Sequence, residues 1–360
     1  MTLRPCIADI QPYIPGTTRG NAVKLSSNEN PFGASPRVHK ALSALGESLH
    51  IYPDPGATAL RSLIAERHSI RPGQIIVGNG SDEIMQIIAG TFLNPGESSL
   101  SSEHTFSQYR SVTQVFAGAY HEAPMSDGRF DANAIIESIR QTSPRIVWLC
   151  NPNNPTGTIL THPEVVAVLD ACSRDTLVVL DEAYADYADD PAFPDSRALI
   201  DSYPNLVVLR TFSKLFALAA LRIGYGFGNE DLIRQLYTIK QPFNVNAAAQ
   251  TAACVALQDA SHIQTSIEQN RFGRDRMYAI FDSLGLSYYR SQGNFVAVQL
   301  PAPAADVAAR MLDSGVAVRP LASFGLPQWL RITVGTNEHI RLVERTLSSA
   351  LKHCTHAVSG

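Results

Sequence analysis

The chain has 360 residues, 45% of them hydrophobic, and a formal net charge of −4 at pH 7. That length and apolar content suit a large buried core in one large domain or two, and the scattered basic residues exclude a nucleic-acid-binding face. No apolar run is long enough to span a bilayer, and residues 1–10 lack the apolar segment of a secretory signal, so a cytoplasmic protein is expected. Five widely spaced cysteines, Cys6, Cys150, Cys172, Cys254 and Cys354, contain no CxxC pair and suggest neither a disulfide framework nor a zinc site. The histidines show no metal-ligand spacing either.

Residues 1–30 are broken by Pro5, Pro12, Pro15, Gly16 and Gly20 and read as an irregular arm that lies on another part of the molecule. Helical spacing follows over 35–49, then a turn at 52–56 and a second helix over about 57–68. A strand is predicted at 74–77, and residues 78–83 open into the apolar helix pattern of 84–92. A glycine turn that opens a helix offers free N–H groups and the positive end of a dipole, which suits a phosphate; Ser81 or Asp82 serves equally as a plain N-cap.

Short apolar runs at 146–150 and 177–180 end in polar residues, as where parallel strands deliver side chains to a site at their carboxyl ends. A third run, 205–209, leads to Ser213 and Lys214, with Arg222 eight residues further on. Lysine is scarce here, with five in the chain. A lysine amine desolvated near another cation becomes nucleophilic toward an aldehyde, which is Schiff-base chemistry; a solvated lysine at a strand end is the alternative at this point. Apolar residues followed by Asp181-Glu182 also resemble the Mg²⁺-binding strand of an ATPase. No lysine here follows a glycine or precedes Ser or Thr, so the phosphate-binding half of that motif is absent. A helix to about 240, a break at 241–246, helical patterning over 247–284, a strand at 294–299, a helix at 304–314 and strands at 316–318 and 330–334 follow. His353 and His356 are expected in a frayed tail.

Asn154, Asp181, Tyr184, Ser213, Lys214 and Arg222, in this order within NNPTG, LDEAY and TFSKLFALAALR, resemble the fold-type I, pyridoxal phosphate (PLP)-dependent aminotransferases. The resemblance is greatest to their histidinol-phosphate branch and runs from PYIPG and LSSNENP to LRITVG. It implies an α/β PLP-dependent transferase fold. An N-terminal arm over 1–30, a large domain over 31–245 with a mostly parallel seven-stranded sheet and a small α+β domain over 246–356 are expected.

The resemblance also implies site roles. Lys214 would hold PLP and move a proton, Asp181 would keep the pyridine nitrogen protonated, and Asn154 and Tyr184 would bind the ring hydroxyl oxygen. Phe106 would stack on the ring, and Ser81, Asp82, Thr211, Ser213 and Arg222 would gather at the phosphate. Tyr52 would reach the neighbouring subunit's cofactor phosphate, making each site depend on a homodimer. Tyr13, Asn28, Asn154, Arg319 and Arg331 would meet the substrate. The implied reaction is transamination between L-histidinol phosphate and 2-oxoglutarate. An aromatic amino-acid aminotransferase and a PLP-dependent decarboxylase of a phosphorylated amino acid are the alternatives, and a PLP-binding regulator lacks a basic segment here. Two departures stand out: His104 replaces a proline, and Leu215 follows the lysine where Ala, Ser or Gly is usual, with Ala217 and Ala220 where glycine is frequent.

Overall fold

The computed structural model describes residues 2–8, 10 and 19–355, with side chains up to residue 352. Tyr13 and His356 lie outside the described residues. After β1 (Val23–Lys24), α1 (Pro36–Ser43) and α2 (Thr58–His68), strands and helices alternate. They are β2 (Ile75–Gly78), α3 (Ser81–Phe92), β3 (Ser98–Ser102), α4 (Gln108–Val115), β4 (Ala119–Ala123) and the hairpin β5 (Met125–Ser126) with β6 (Arg129–Phe130). Then come α5 (Ala132–Thr142), β7 (Ile146–Cys150), α6 (His162–Ala171), β8 (Leu177–Asp181), α7 (Ser196–Ser202), β9 (Leu206–Thr211) and β10 (Gly224–Gly228).

Seven of these strands form one sheet in the order β2-β10-β9-β8-β7-β3-β4. It is parallel except at β10, which runs antiparallel to both neighbours. Every residue of β7 and β8 is buried. Helices cover both faces of a parallel sheet, so its strands read as unbroken apolar runs, and those runs are what the sequence displays at 146–150 and 177–180.

The chain continues through α8 (Glu230–Leu236), α9 (Ala247–Leu257), α10 (Ala260–Ser283), β11 (Phe295–Gln299), α11 (Ala304–Asp313), β12 (Val316–Ala317), β13 (Arg319–Leu321), β14 (Leu326–Thr333) and α12 (Asn337–Thr355). Strands β11, β14 and β13 form a small antiparallel sheet, while β12 pairs in parallel with β1 and so draws the N-terminal arm onto this unit. Leu25 is buried in its core. His353 falls within α12, so the frayed tail expected from sequence is helix as far as Thr355.

The two apolar cores divide inside α10: Ile263 and Ile267 pack on the larger, and Met277, Ile280 and Phe281 belong to the smaller. Helix α9 buries Ala249, Ala252, Ala253 and Ala256 in the larger core. The two cores thus meet along α10. No helix of the described residues is long and apolar enough to cross a membrane.

Candidate active site

The carboxyl ends of β7, β8 and β9, the start of α3, residues 27–29 and the β13–β14 turn enclose a cavity of about 730 Å³. Lys214 reaches it from the loop after β9, and its Nζ donates to the Ser27 carbonyl at 3.2 Å and lies 5.6 Å from the Tyr184 ring centroid. The residue is half-buried. Burial first, then the Arg331 guanidinium, lowers its amine from 10.5 to about 8, against the opposing pull of Glu29 and Asp82.

Asp181 ends β8 and is 3% exposed. Its Oδ2 accepts from the Tyr109 hydroxyl at 2.7 Å and its Oδ1 from the Ala183 N–H at 3.2 Å. Burial raises the carboxyl to about 6 in spite of these two donors. Tyr109 is itself fully buried, stacked on Trp148 with centroids 5.4 Å apart and an interplanar angle of 7°, and meets Phe106 edge-on at 5.7 Å. Sequence alone assigns Tyr109 no role; its one signal is an aromatic three residues after Phe106 at the start of a helix.

Tyr184 accepts a hydrogen bond at its hydroxyl from Asn28 Nδ2 at 3.0 Å, and burial pushes its phenol above the usual range. Asn28 holds a left-handed backbone, φ 55°, which asparagine tolerates. Its N–H donates to Thr333 Oγ1 at 3.0 Å and its carbonyl accepts from Asn294 Nδ2 at 3.0 Å. Arg331, on β14 and 6% exposed, donates through Nη1 to Asn154 Oδ1 and through Nη2 to the Ser26 carbonyl at 2.8 Å. Arg319 stands directly opposite it on β13, lines the same cavity and donates to Ser323 Oγ at 3.4 Å. Directly opposed residues on antiparallel strands share a face, so the two arginines extend from the same side of this small sheet.

On the other side of the cavity, Arg222 donates to Ser213 Oγ at 3.4 Å and pairs with Asp82 at 3.1 Å, while Ser213 donates its N–H to Thr211 Oγ1 at 3.0 Å. Ser81 opens α3, whose first N–H groups point to this corner. Gly80 holds φ +83°, and a Cβ there would stand 2.6 Å from Arg222 Nη2, so the guanidinium and the helix start can approach only across a glycine. Phe106 also lines the cavity.

Tyr52 does not line it. That side chain is 79% exposed and stacks on Phe243 with centroids 4.7 Å apart. Leu215 is buried in the larger core, and its carbonyl accepts from Asn30 Nδ2 at 2.8 Å. Ala217 adopts φ 56°, a left-handed conformation that costs a residue with a Cβ about 1–2 kcal/mol and accounts for the frequency of glycine at such a position. Glu182 is fully buried and pairs with Arg210 at 2.5 Å, with Ser196 Oγ donating to it at 3.0 Å. It serves an ion pair, so Asp181 and Glu182 do not converge as the ATPase reading requires.

Fold and site together define an α/β enzyme of the PLP-dependent transferase class. Residues 20–346 match the family described as aminotransferase class I and II. A histidinol-phosphate aminotransferase of Geobacillus thermodenitrificans is 40% identical, over 98% of this chain and 99% of its own. The enzyme of the same name from Brevibacillus brevis is 41% identical over 92% of each chain. The crystal structure of histidinol-phosphate aminotransferase from Sinorhizobium meliloti in complex with pyridoxal-5'-phosphate is similar with a TM-score of 0.91, at 27% identity over 98% of each chain. The chain belongs to the class I and II aminotransferase family.

The donor set fits PLP. The flat face of Phe106, the carboxylate of Asp181 and the amine of Lys214 face one cavity, as do the Asn154 amide and the Tyr184 hydroxyl. The α3 start, with Ser213, Thr211 and Arg222, supplies N–H, hydroxyl and guanidinium donors suited to a phosphate dianion.

Proposed function

We propose that this chain is a PLP-dependent transaminase that moves the amino group of L-histidinol phosphate to 2-oxoglutarate, a step of histidine biosynthesis. The observation that carries the donor is the opposed pair Arg319 and Arg331 at one end of the cavity. Histidinol phosphate has no carboxylate for Arg331 to clamp, and a phosphate dianion satisfies two guanidiniums where a carboxylate satisfies one. The names of the relatives at 40% and 41% identity support the same donor.

PLP, when bound, supplies the electron sink for the charge left on the donor's amine-bearing carbon. Lys214 Nζ would hold it. With its amine near 8, Nζ can accept a proton from that carbon and return one near neutral pH. Asp181, with Oδ2 on the Tyr109 hydroxyl, would hold a proton at the ring nitrogen, and Asn154 and Tyr184 would bind the ring oxygen. Phe106, which lines the cavity, would cover one face of the ring and exclude water from it. Ser81, Thr211, Ser213 and Arg222 would hold the cofactor phosphate, with Asp82 orienting Arg222. Asn28, fixed by Thr333 and Asn294, holds the Tyr184 hydroxyl in place beside the donor.

The working unit proposed is a homodimer. Leu49, Ile51 and Tyr52 are 75%, 60% and 79% exposed in one segment, an apolar strip suited to a second copy whose cofactor phosphate Tyr52 would reach. A cytoplasmic setting is supported by the four described cysteines, all free.

The test is the visible spectrum of the purified holoenzyme before and after histidinol phosphate, with no keto acid present. The cofactor band should fade to the amine form and return with 2-oxoglutarate. A band indifferent to histidinol phosphate but bleached by phenylalanine or tyrosine would install the aromatic reading, and release of CO₂ from an added phosphorylated amino acid would install a decarboxylase.

A further inference from the structure

The loop at 103–107, which carries Phe106, follows β3 in the large sheet, whereas Ala322–Phe324 forms the turn between β13 and β14 in the smaller unit. One side chain ties the two. His104 Nδ1 lies 2.5 Å from the Phe324 carbonyl oxygen. A carbonyl only accepts, so Nδ1 carries the proton, and this holds for the neutral Nδ1–H tautomer and for the imidazolium alike. The backbone of His104 is left-handed, φ 50°. Histidine reaches that region, while a proline, with φ held near −65°, is barred from it and has no donor to offer.

Both sides of this contact are anchored. The His104 carbonyl accepts from Asn153 Nδ2 at 3.2 Å, and Thr105 Oγ1 donates to Asn153 Oδ1 at 2.7 Å, which ties the loop to the turn after β7. Across the gap, Gly325 holds φ +77°, and a Cβ there would stand 2.9 Å from His104 Cε1, so the imidazole can lie against the turn because that position is glycine. Ser323 and Phe324 line the cavity, and Ser323 Oγ accepts from Arg319 Nη2 at 3.4 Å. A continuous set of contacts therefore runs from the Phe106 loop through His104, Phe324 and Ser323 to Arg319.

We infer that His104 is a positioning residue for the phosphate end of the donor: it latches the β13–β14 turn to the Phe106 loop and thereby sets where Arg319 stands relative to the cofactor's ring face. The inference rests on the proposed reading of the cavity as the site of a phosphorylated amine. A proline at this position could make neither the backbone turn nor the hydrogen bond.

The experiment compares three holoenzyme variants with the wild type. His104→Asn keeps an amide donor near the place of Nδ1 and tolerates the left-handed backbone; His104→Gly tolerates the backbone without a donor; His104→Ala has neither advantage. Loss of one hydrogen bond corresponds to roughly 3- to 10-fold. The KM for L-histidinol phosphate should rise by about that factor in the Gly and Ala variants with kcat within about twofold, and the Asn variant should restore it. Amide exchange at 322–325 should accelerate in Gly and Ala and be wild-type-like in Asn. Wild-type KM and exchange in all three variants would overturn the latch, and so would failure of Asn to restore either. If the wild type does not transaminate the phosphorylated donor, the proposed function falls, and the exchange comparison still decides the latch.

Discussion

Replacing Tyr109 by phenylalanine removes one hydroxyl and leaves the ring stacked on Trp148. Asp181 then loses the donor at 2.7 Å and keeps only the Ala183 N–H at 3.2 Å. A hydrogen bond to a charged group contributes about 1.5–3 kcal/mol, and 1.36 kcal/mol corresponds to one pH unit. The carboxyl of Asp181, now at about 6, should therefore move into roughly the pH 7–8 range. A carboxyl held above its unfolded value contributes stability that is full below about pH 4 and is lost as pH rises through the folded value. Both proteins begin that loss near the unfolded value, about pH 4, but the variant goes on losing stability up to its higher folded value, because it has no hydroxyl to hold the carboxylate once it ionises. Its deficit against the wild type should be small at pH 5 and about 1.5–3 kcal/mol at pH 9.

Cys150, Asp82, Lys214 and Tyr184 also face Asp181 and are the same in both proteins; burial pushes the Cys150 thiol up to about 12 and the Tyr184 phenol above its usual range, so both are silent in this window. The assay is thermal unfolding of the cofactor-free proteins at pH 5 and pH 9, read at roughly 1–2 °C per kcal/mol for a chain of this length. A difference in Tm between wild type and Tyr109→Phe that is the same at both pH values would refute the assignment of this hydroxyl to the carboxylate.

Lys214→Met should abolish the visible cofactor band and raise the stability of the cofactor-free protein at pH 7. An amine held at about 8, against 10.5 unfolded, loses stability as pH falls through 8 and recovers it above 10.5, so the gain is up to about 3 kcal/mol at pH 7, less about 1 for the lost Ser27 contact, and vanishes near pH 11. Melting curves at the two pH values check it. Arg319→Ala should raise the KM for histidinol phosphate by about 10- to 100-fold, the equivalent of a charge-assisted hydrogen bond, and leave the far weaker turnover of unphosphorylated histidinol unchanged. Steady-state kinetics with the two donors provide the comparison.

Some of the site lies open in the chain because local physics is enough to place it. The runs at 146–150, 177–180 and 205–209 are apolar on both faces because parallel strands are covered on both sides, and the residues after such runs, Asp181, Ser213 and Lys214, arrive at the cavity for that reason alone. The glycine turn before α3 carries its own conformational signal at Gly80.

Other features depend on chain segments that meet only in the folded molecule. Strand β10 reads GYGFG, a weak strand by propensity, and is held as one by β2 and β9 on either side. Helix α9 has small apolar residues without a clear face, and only packing assigns them to the larger core. Tyr109 and Asp181 are 72 positions apart, and His104 and Phe324 are 220 apart. That Arg319 faces Arg331 follows from the register of β13 against β14, which no spacing within either strand reveals. The sequence by itself determined which chemical groups stand at strand ends and helix starts, because those places follow from backbone hydrogen bonding and local burial. Which of those groups touch, and how burial then moves their proton affinities, was decided by tertiary packing, because contact and desolvation are properties of the assembled neighbours.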